Sequence, residues 1–212
     1  MAGTMSMLDL VADLKRSLHD SANVFANNPD KQDADFERFL KQALPDMGWK
    51  RSLTRLGQVT LTAGEGRYSL AAYPDFGNYK THLWEKSSTY PNAWEPGYPG
   101  ALPRVTSVRD ETTAWLVFDP APSSQHISLR GSVFRFYYFG QHVIGEDAQD
   151  TTVALVDRGL LILRAQAEAM LELAMRNSTK PVQLRDGISG TPRNSTPSAL
   201  HEQLLRMFQE SR

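Results

Sequence analysis

The stretch Phe134-Arg-Phe-Tyr-Tyr-Phe139 indicates the fold class of this 212-residue chain. Aromatic residues favour β-strands. A strand would place Phe134, Phe136 and Tyr138 on one face, and Arg135, Tyr137 and Phe139 on the other. Packing in a core is the favoured interpretation, and stacking on bases or sugars is the alternative.

Period-two patterns extend this strand region upstream to about Gln58. Val59-Thr-Leu-Thr62 and Arg67-Tyr-Ser-Leu70 flank Gly64-Glu-Gly66 and predict a hairpin. Further strands are predicted over 104–109, 114–118 and 126–139, with Gly131 marking a bulge or bend. We therefore expect one antiparallel β unit of about five strands over residues 58–139.

Residues 71–103 read as a long irregular loop. The loop is rich in proline and carries aromatic residues, among them Trp84, Trp94 and Tyr98. Irregular loops of this length are uncommon unless they have a function. The aromatic content predicts a loop that packs or docks, and both sugar binding and subunit contact use exposed aromatic side chains.

Helical periodicity surrounds the strand region on both sides. Residues 6–26 predict a helix capped by Ser6 with Asp9, and 34–44 predict a second helix that ends at Pro45. A third pattern runs over 152–175. Its apolar stripe comprises Val153, Val156, Leu160, Leu163, Ala167, Met170, Leu171 and Ala174. Leu161 and Ile162 lie off this stripe, which indicates burial on more than one side.

The chain ends in an arm over residues 177–212. Pro, Gly and hydroxyl residues dominate its first part, and residues 176–193 carry a net charge of +3. A short amphipathic helix is predicted from Pro197 to about Gln209, with Leu200, Leu204, Leu205 and Phe208 on one face. That face must bury itself against its own domain or a neighbouring chain.

These patterns predict an α+β fold. An N-terminal helix pair and a long C-terminal helix form a helical bundle, which carries an inserted antiparallel β unit and a C-terminal arm ending in a short helix. The predicted segments are 1–57 for the N-terminal helices, 58–147 for the β insertion, 148–176 for the long helix and 177–212 for the arm.

Composition excludes several classes of function. The net charge of −1 gives no global case for nucleic-acid binding, and the absence of cysteine removes thiolate chemistry. No apolar run reaches the length of a membrane span. Asp119 with His126, or Asp147 with His142, would orient a general base, but no activated serine motif accompanies them. We expect no catalytic residues, no metal site and no cofactor, and hence no enzyme.

The layout resembles the head-to-tail connector, or adaptor, proteins of tailed bacteriophages. The resemblance lies in the segments Asp33-Ala-Asp-Phe-Glu-Arg-Phe-Leu-Lys-Gln-Ala-Leu44, Thr62-Ala-Gly-Glu-Gly-Arg-Tyr-Ser-Leu70, Pro74-Asp-Phe76, Phe118-Asp-Pro-Ala-Pro122, Phe136-Tyr-Tyr-Phe139 and Val182-Gln-Leu-Arg-Asp-Gly-Ile-Ser189. The long helix over 152–175 and the terminal helix complete it, and the similarity of layout spans most of the chain.

The resemblance implies a structural protein of the virion neck, assembled in the host cytoplasm. Such adaptors form homo-oligomeric rings, typically of twelve copies, that dock on the portal protein and contact tail or further neck proteins. Genomic DNA passes through the lumen without sequence-specific readout, and no membrane is involved.

The arm carries the residues that we predict to bind the partner. Its cations and apolar anchors suit an acidic groove. The partner-binding residues are Arg185, Arg193, Leu200, Leu204, Leu205 and Phe208. The alternative function is a carbohydrate-binding or hydrolytic tail component that uses the aromatic β unit.

Overall fold

The structure, a computed structural model, describes residues 4–25, 33–84, 91–177 and 196–211. It contains helices and two small antiparallel sheets, which confirms the predicted α+β class. The chain divides into two compact units. We call Met1–Lys50 with His142–Arg212 the helical unit, and Arg51–Gln141 the strand unit.

The described elements follow in chain order. The helices are α1 (Met7–Leu18), α2 (Ala22–Phe25), α3 (Ala34–Lys50), α4 (Ser124–Arg130), α5 (Arg158–Asn177) and α6 (Pro197–Glu210). The strands are β1 (Leu53–Thr60), β2 (Arg67–Ser69), β3 (Phe76–Leu83), β4 (Arg104–Arg109), β5 (Ala114–Asp119) and β6 (Val133–Gly140).

The N-terminal helices differ from the prediction at two points. The Ser6 side chain accepts a hydrogen bond from the Asp9 backbone N–H, as predicted, but α1 gives way after Leu18 to a 3-10 turn over His19–Ser21. The predicted end of the second helix at Pro45 is wrong, because α3 continues to Lys50 with Pro45 inside it. Burial of Met47 in the core and the Asp46–Arg164 ion pair hold these last turns in place.

The long helix is shorter than predicted, and it is buried on more than one side, as predicted. α5 begins at Arg158, after a 3-10 turn over Leu155–Asp157. Leu161, which lies off the predicted stripe, is fully buried, whereas Val156, which lies on it, is 89% exposed. The stripe fails at Val156 because this residue lies in the 3-10 turn before α5, whereas Val153, which also precedes the helix, is buried in the core.

Polar contacts show whether α1 and α3 run parallel or antiparallel to α5. Asp46 pairs with Arg164 at 2.6 Å and Asp35 pairs with Arg176 at 3.3 Å, so α3 runs antiparallel to α5. Arg158 Nε donates to Asp13 Oδ2 at 2.9 Å and Gln166 Nε2 donates to Ser17 O at 3.3 Å, so α1 runs parallel to it. The first turn of α1 and the last turn of α3 therefore lie at the same end of the unit as the start of α5.

The strand unit consists of two three-stranded sheets in the orders β1-β6-β3 and β2-β5-β4. The predicted hairpin over 59–70 is wrong because its two strands lie in different sheets: β1 pairs with β6, and β2 pairs with β5. β1 begins at Leu53, five residues before the predicted switch at Gln58. The predicted loop over 71–103 contains β3, which pairs with β6.

The predicted strand over 126–139 divides into a helix and a strand. Ser123 and His126 form a capping box that starts α4, and Gly131, with φ of 84°, ends it in place of the predicted bulge. β6 follows and is the central strand of its sheet. Phe134, Phe136 and Tyr138 are buried in the core of the strand unit, which confirms the predicted alternation.

Candidate partner-binding surfaces

The terminal helix α6 packs on its own helical unit. His201 Nδ1 lies 2.8 Å from the backbone oxygen of Ala167 on α5. Phe208 is only 4% exposed and belongs to the same hydrophobic core as Leu161 and Ala165. The sequence predicts that this apolar face packs against its own domain or against a neighbouring chain. In the structure it packs against its own domain.

Lys50 holds the C-terminal end of α6. Its Nζ donates to Gln209 O at 2.9 Å and lies 5.3 Å from the centre of the Phe208 ring. Nζ also donates to the Ser211 backbone oxygen. A lysine beside the last carbonyl groups of a helix is favourable because the helix dipole is negative there.

The predicted partner-binding residues are not all equivalent in the structure. Arg185 and Arg193 lie outside the described residues. Phe208 is buried and Leu204 packs against the core, whereas Leu205 is half-buried and Leu200 is exposed. The partner-binding role of these six residues stays a prediction, and among the leucines Leu200 offers a partner the largest exposed fraction.

A second surface lies at the end of the helical unit where α1 and α5 begin. Leu8 is 75% exposed there, and Leu155 and Val156 are exposed beside the start of α5. The Met7 backbone N–H donates to Gly145 O at 3.1 Å, which brings the loop after β6 to the same end. That loop adds the exposed carboxylates of Glu146, Asp147 and Asp150.

A third surface is the outer face of the β1-β6-β3 sheet. Register places Leu56 opposite Tyr137, and Leu83 opposite Arg135. Leu56 is 54% exposed and Leu83 is 50% exposed. An antiparallel sheet face open to water is ordinarily polar, so this apolar face is a candidate for contact with a partner.

The aromatic loop residues divide between core and surface. Trp84 is buried in the strand unit, and its Nε1 donates to Gly131 O at 3.1 Å. Trp94 is 82% exposed, and Tyr98 is 36% exposed. Trp84 is therefore a structural residue, and a sugar-binding role for this loop would have to rest on Trp94 and Tyr98.

His126 does not form the predicted pair with Asp119. His126 Nδ1 accepts from the Ser123 backbone N–H at 3.2 Å, and its Nε2 has no hydrogen-bond partner among the described residues, so the predicted pairing of Asp119 with His126 is wrong. His142 Nδ1 lies 3.1 Å from Thr152 Oγ1.

Across the described ranges, no three His, Asp or Glu side chains group in a way that suits a metal ion. In the same ranges no helix is both long and apolar enough to cross a bilayer.

We expect His82 to make the stability of the strand unit depend on pH. Burial lowers the pKa of His82 below its usual value, and the nearby Arg130 charge lowers it further. The Tyr79 hydroxyl and His82 Nδ1 are joined by a hydrogen bond. The unfolded chain therefore takes up this proton at a higher pH than the folded chain does, and protonation favours unfolding.

We expect the free energy of unfolding to fall as the pH drops below about 6.5, the ordinary histidine value. Denaturant titrations between about pH 5.5 and 7.5 measure this slope. His82→Gln should flatten it. An identical slope in the natural protein and in this variant would rule out His82 as its source.

Comparison with known proteins gives a weak structural similarity. No protein-family model matches this chain, and no curated protein matches it in sequence. A structure described as "Neck of native GTA particle computed with C12 symmetry" is 16% identical, with a TM-score of 0.25, over 85% of this chain and 86% of that one. A second, "Neck of empty GTA particle computed with C6 symmetry", is 14% identical, with a TM-score of 0.24, over 92% of this chain and 87% of that one. At these values neither match establishes a shared fold or function.

Proposed function

We propose that this chain is a structural head-to-tail adaptor of a phage-type virion. Copies assemble into a ring in the neck, about twelve by analogy with the family that the sequence resembles. The ring docks on the portal protein and joins the capsid to tail or further neck proteins. DNA passes through its lumen, and the chain has no catalytic activity and holds no cofactor.

One observation carries the proposal: the chain bears two different apolar surfaces of opposite charge. The end of the helical unit combines Leu8 and Val156 with carboxylates, and the outer sheet face combines Leu56 with Lys80 and Arg135. Soluble proteins rarely leave such patches without a partner. Two unlike surfaces on one chain suit a heterologous contact, in which one surface of each subunit binds the other surface of its neighbour. Such contacts close into a ring when the rotation between neighbouring subunits permits.

The C-terminal arm supplies the contact with the portal. Arg185 and Arg193 bring positive charge to an acidic groove, and Leu200 on α6 contributes exposed apolar area. Because Phe208 is buried in the helical unit, α6 presents Leu200 and Leu205 without leaving its own core. Both structures matched above are described as particle necks, which agrees with the proposal, but their similarity is too low to support it.

Mass measurement of the purified chain tests this function. We expect a multimer of the chain alone and a larger complex after addition of the portal protein from the same particle. Arg185→Glu with Arg193→Glu should remove portal binding and leave the multimer unchanged. Arg16→Glu is the control, because it makes the same substitution at an exposed position outside the arm, and it should leave portal binding unchanged. A strict monomer that binds no portal protein would contradict the proposal.

A further inference from the structure

We propose that the outer sheet face of one copy receives the end of the helical unit of a second copy. The first surface comprises Leu56, Leu83, Tyr137, Phe139, Lys80 and Arg135. The second comprises Leu8, Leu155, Val156, Glu146, Asp147 and Asp150. This inference rests on the proposed ring, because it names the contact between neighbouring subunits.

The sheet face has the composition of a protein-binding surface. Register places Leu56 and Thr81 on either side of Tyr137, and Thr54 and Asn78 on either side of Phe139. These side chains are opposite in face to the buried Phe136 and so point away from the core. Aromatic residues and arginine are enriched in protein–protein interfaces.

Lys80 gives this face a positive charge available to a partner. Its Nζ lies 5.0 Å from the centre of the Phe139 ring and donates to Thr54 Oγ1 at 3.1 Å. Within the described part of the chain, Lys80 forms no ion pair. A carboxylate from outside would therefore meet the ammonium group beside an aromatic ring, where little water remains to screen it.

The end of the helical unit has the complementary chemistry. Arg158 Nη2 donates to Asp9 O at 3.2 Å, which ties the start of α5 to the first turn of α1. The turn that carries Val156 and the first turn of α1, which carries Leu8, therefore lie at the same end of the unit. Glu146, Asp147 and Asp150 are exposed and make no ion pair among the residues that the structure describes. Apolar side chains flanked by unneutralised carboxylates match a cationic, aromatic face.

The occupant is a second copy because both halves of the contact occur on this one chain. A surface that binds a different surface on an identical chain makes a heterologous contact. An open assembly then has one unoccupied sheet face at one end and one unoccupied helical-unit surface at the other. Further copies add until these two surfaces meet and the ring closes. A foreign partner would explain one patch and leave the other exposed.

Disulfide trapping tests the pairing directly, because the natural chain has no cysteine. We expect a chain carrying both Leu56→Cys and Val156→Cys to form covalent multimers on mild oxidation, seen as a ladder on a non-reducing gel. A chain with Leu56→Cys and Met175→Cys is the matched control, because Met175 is exposed at the other end of α5. A monomer-only pattern, or equal ladders in both chains, would overturn the proposal.

Charge reversal separates the contact from a merely structural effect. Lys80→Glu alone, and Asp147→Lys with Asp150→Lys, should each weaken self-association about tenfold in sedimentation equilibrium, on the order expected for complementary charges. The chain that combines all three changes should regain association. If the combined variant associates more weakly than either partial variant, the result would contradict the contact. If that combined variant still binds the portal protein, the adaptor function would nevertheless stand.

Discussion

Replacing Phe208 by alanine is expected to lower the free energy of unfolding of the helical unit by about 3 to 5 kcal/mol. The ring lies in the core shared by α3, α5 and α6, and Lys50 sits over its face at 5.3 Å. Loss of the ring removes buried apolar area and leaves a cavity between helices. It also removes the contact that holds the last turn of α6.

The neighbouring residue supplies the control for this prediction. Met207 is half exposed on the same turn of α6. Met207→Ala should change the free energy of unfolding by about 0.5 kcal/mol or less, as exposed sites do. Denaturant unfolding measures both variants. Equal effects from the two substitutions would mean that α6 does not pack as the structure describes.

Replacing Arg158 by methionine is the second large change, and we expect it to cost about 3 kcal/mol. Arg158 Nε and Nη2 both donate to Asp13 Oδ2, at 2.9 and 2.5 Å. The guanidinium also donates to the Thr4 and Asp9 backbone oxygens. Methionine keeps much of the packing volume but leaves the carboxylate and these oxygens without their donor.

Arg16 provides a control that contacts the same carboxylate. Its Nη1 lies 3.2 Å from Asp13 Oδ1, but its side chain is 80% exposed. Exposed pairs contribute little because water screens them, so Arg16→Met should cost less than about 1 kcal/mol. Thermal and denaturant unfolding separate the two. A cost for Arg16→Met as large as that for Arg158→Met would contradict the buried clamp.

Much of the fold follows from local patterns. The alternation of Phe134, Phe136 and Tyr138 identifies the buried face of β6, because side chains in a strand alternate strictly. Ser6 marks the start of α1 through its hydrogen bond to the backbone, and Pro197 marks the start of α6 at its first position. Such signals are contained within a few residues, and single-sequence reasoning recovers them.

The failures arise where distant residues override a local preference. Pro45 signals a helix end, but the Asp46–Arg164 pair and the buried Met47 keep α3 helical through it. The segment 126–130 has a strand-like pattern, but the Ser123–His126 capping box makes it a helix. Strand pairing of β1 with β6 joins residues far apart in sequence, and no turn signal reveals it.

The candidate surfaces were only partly predictable. Amphipathic spacing identified α6, but it did not reveal that Phe208 is buried in the helix's own unit. The acidic apolar end was not found, because Leu8 and Val156 are far apart in sequence, and the contacts of Arg158 with α1 bring the starts of α1 and α5 to the same end of the unit. The exposed rows of the sheet depend on the register of β1 and β3 with β6, which the sequence pattern does not give.

Head-to-tail joining in particles that lack this protein tests the adaptor function most directly. Electron microscopy of such a preparation counts joined particles, free heads and free tails. The adaptor function predicts free heads and free tails, with joining restored when the purified chain is added. Joined particles at the normal frequency without the protein would contradict it.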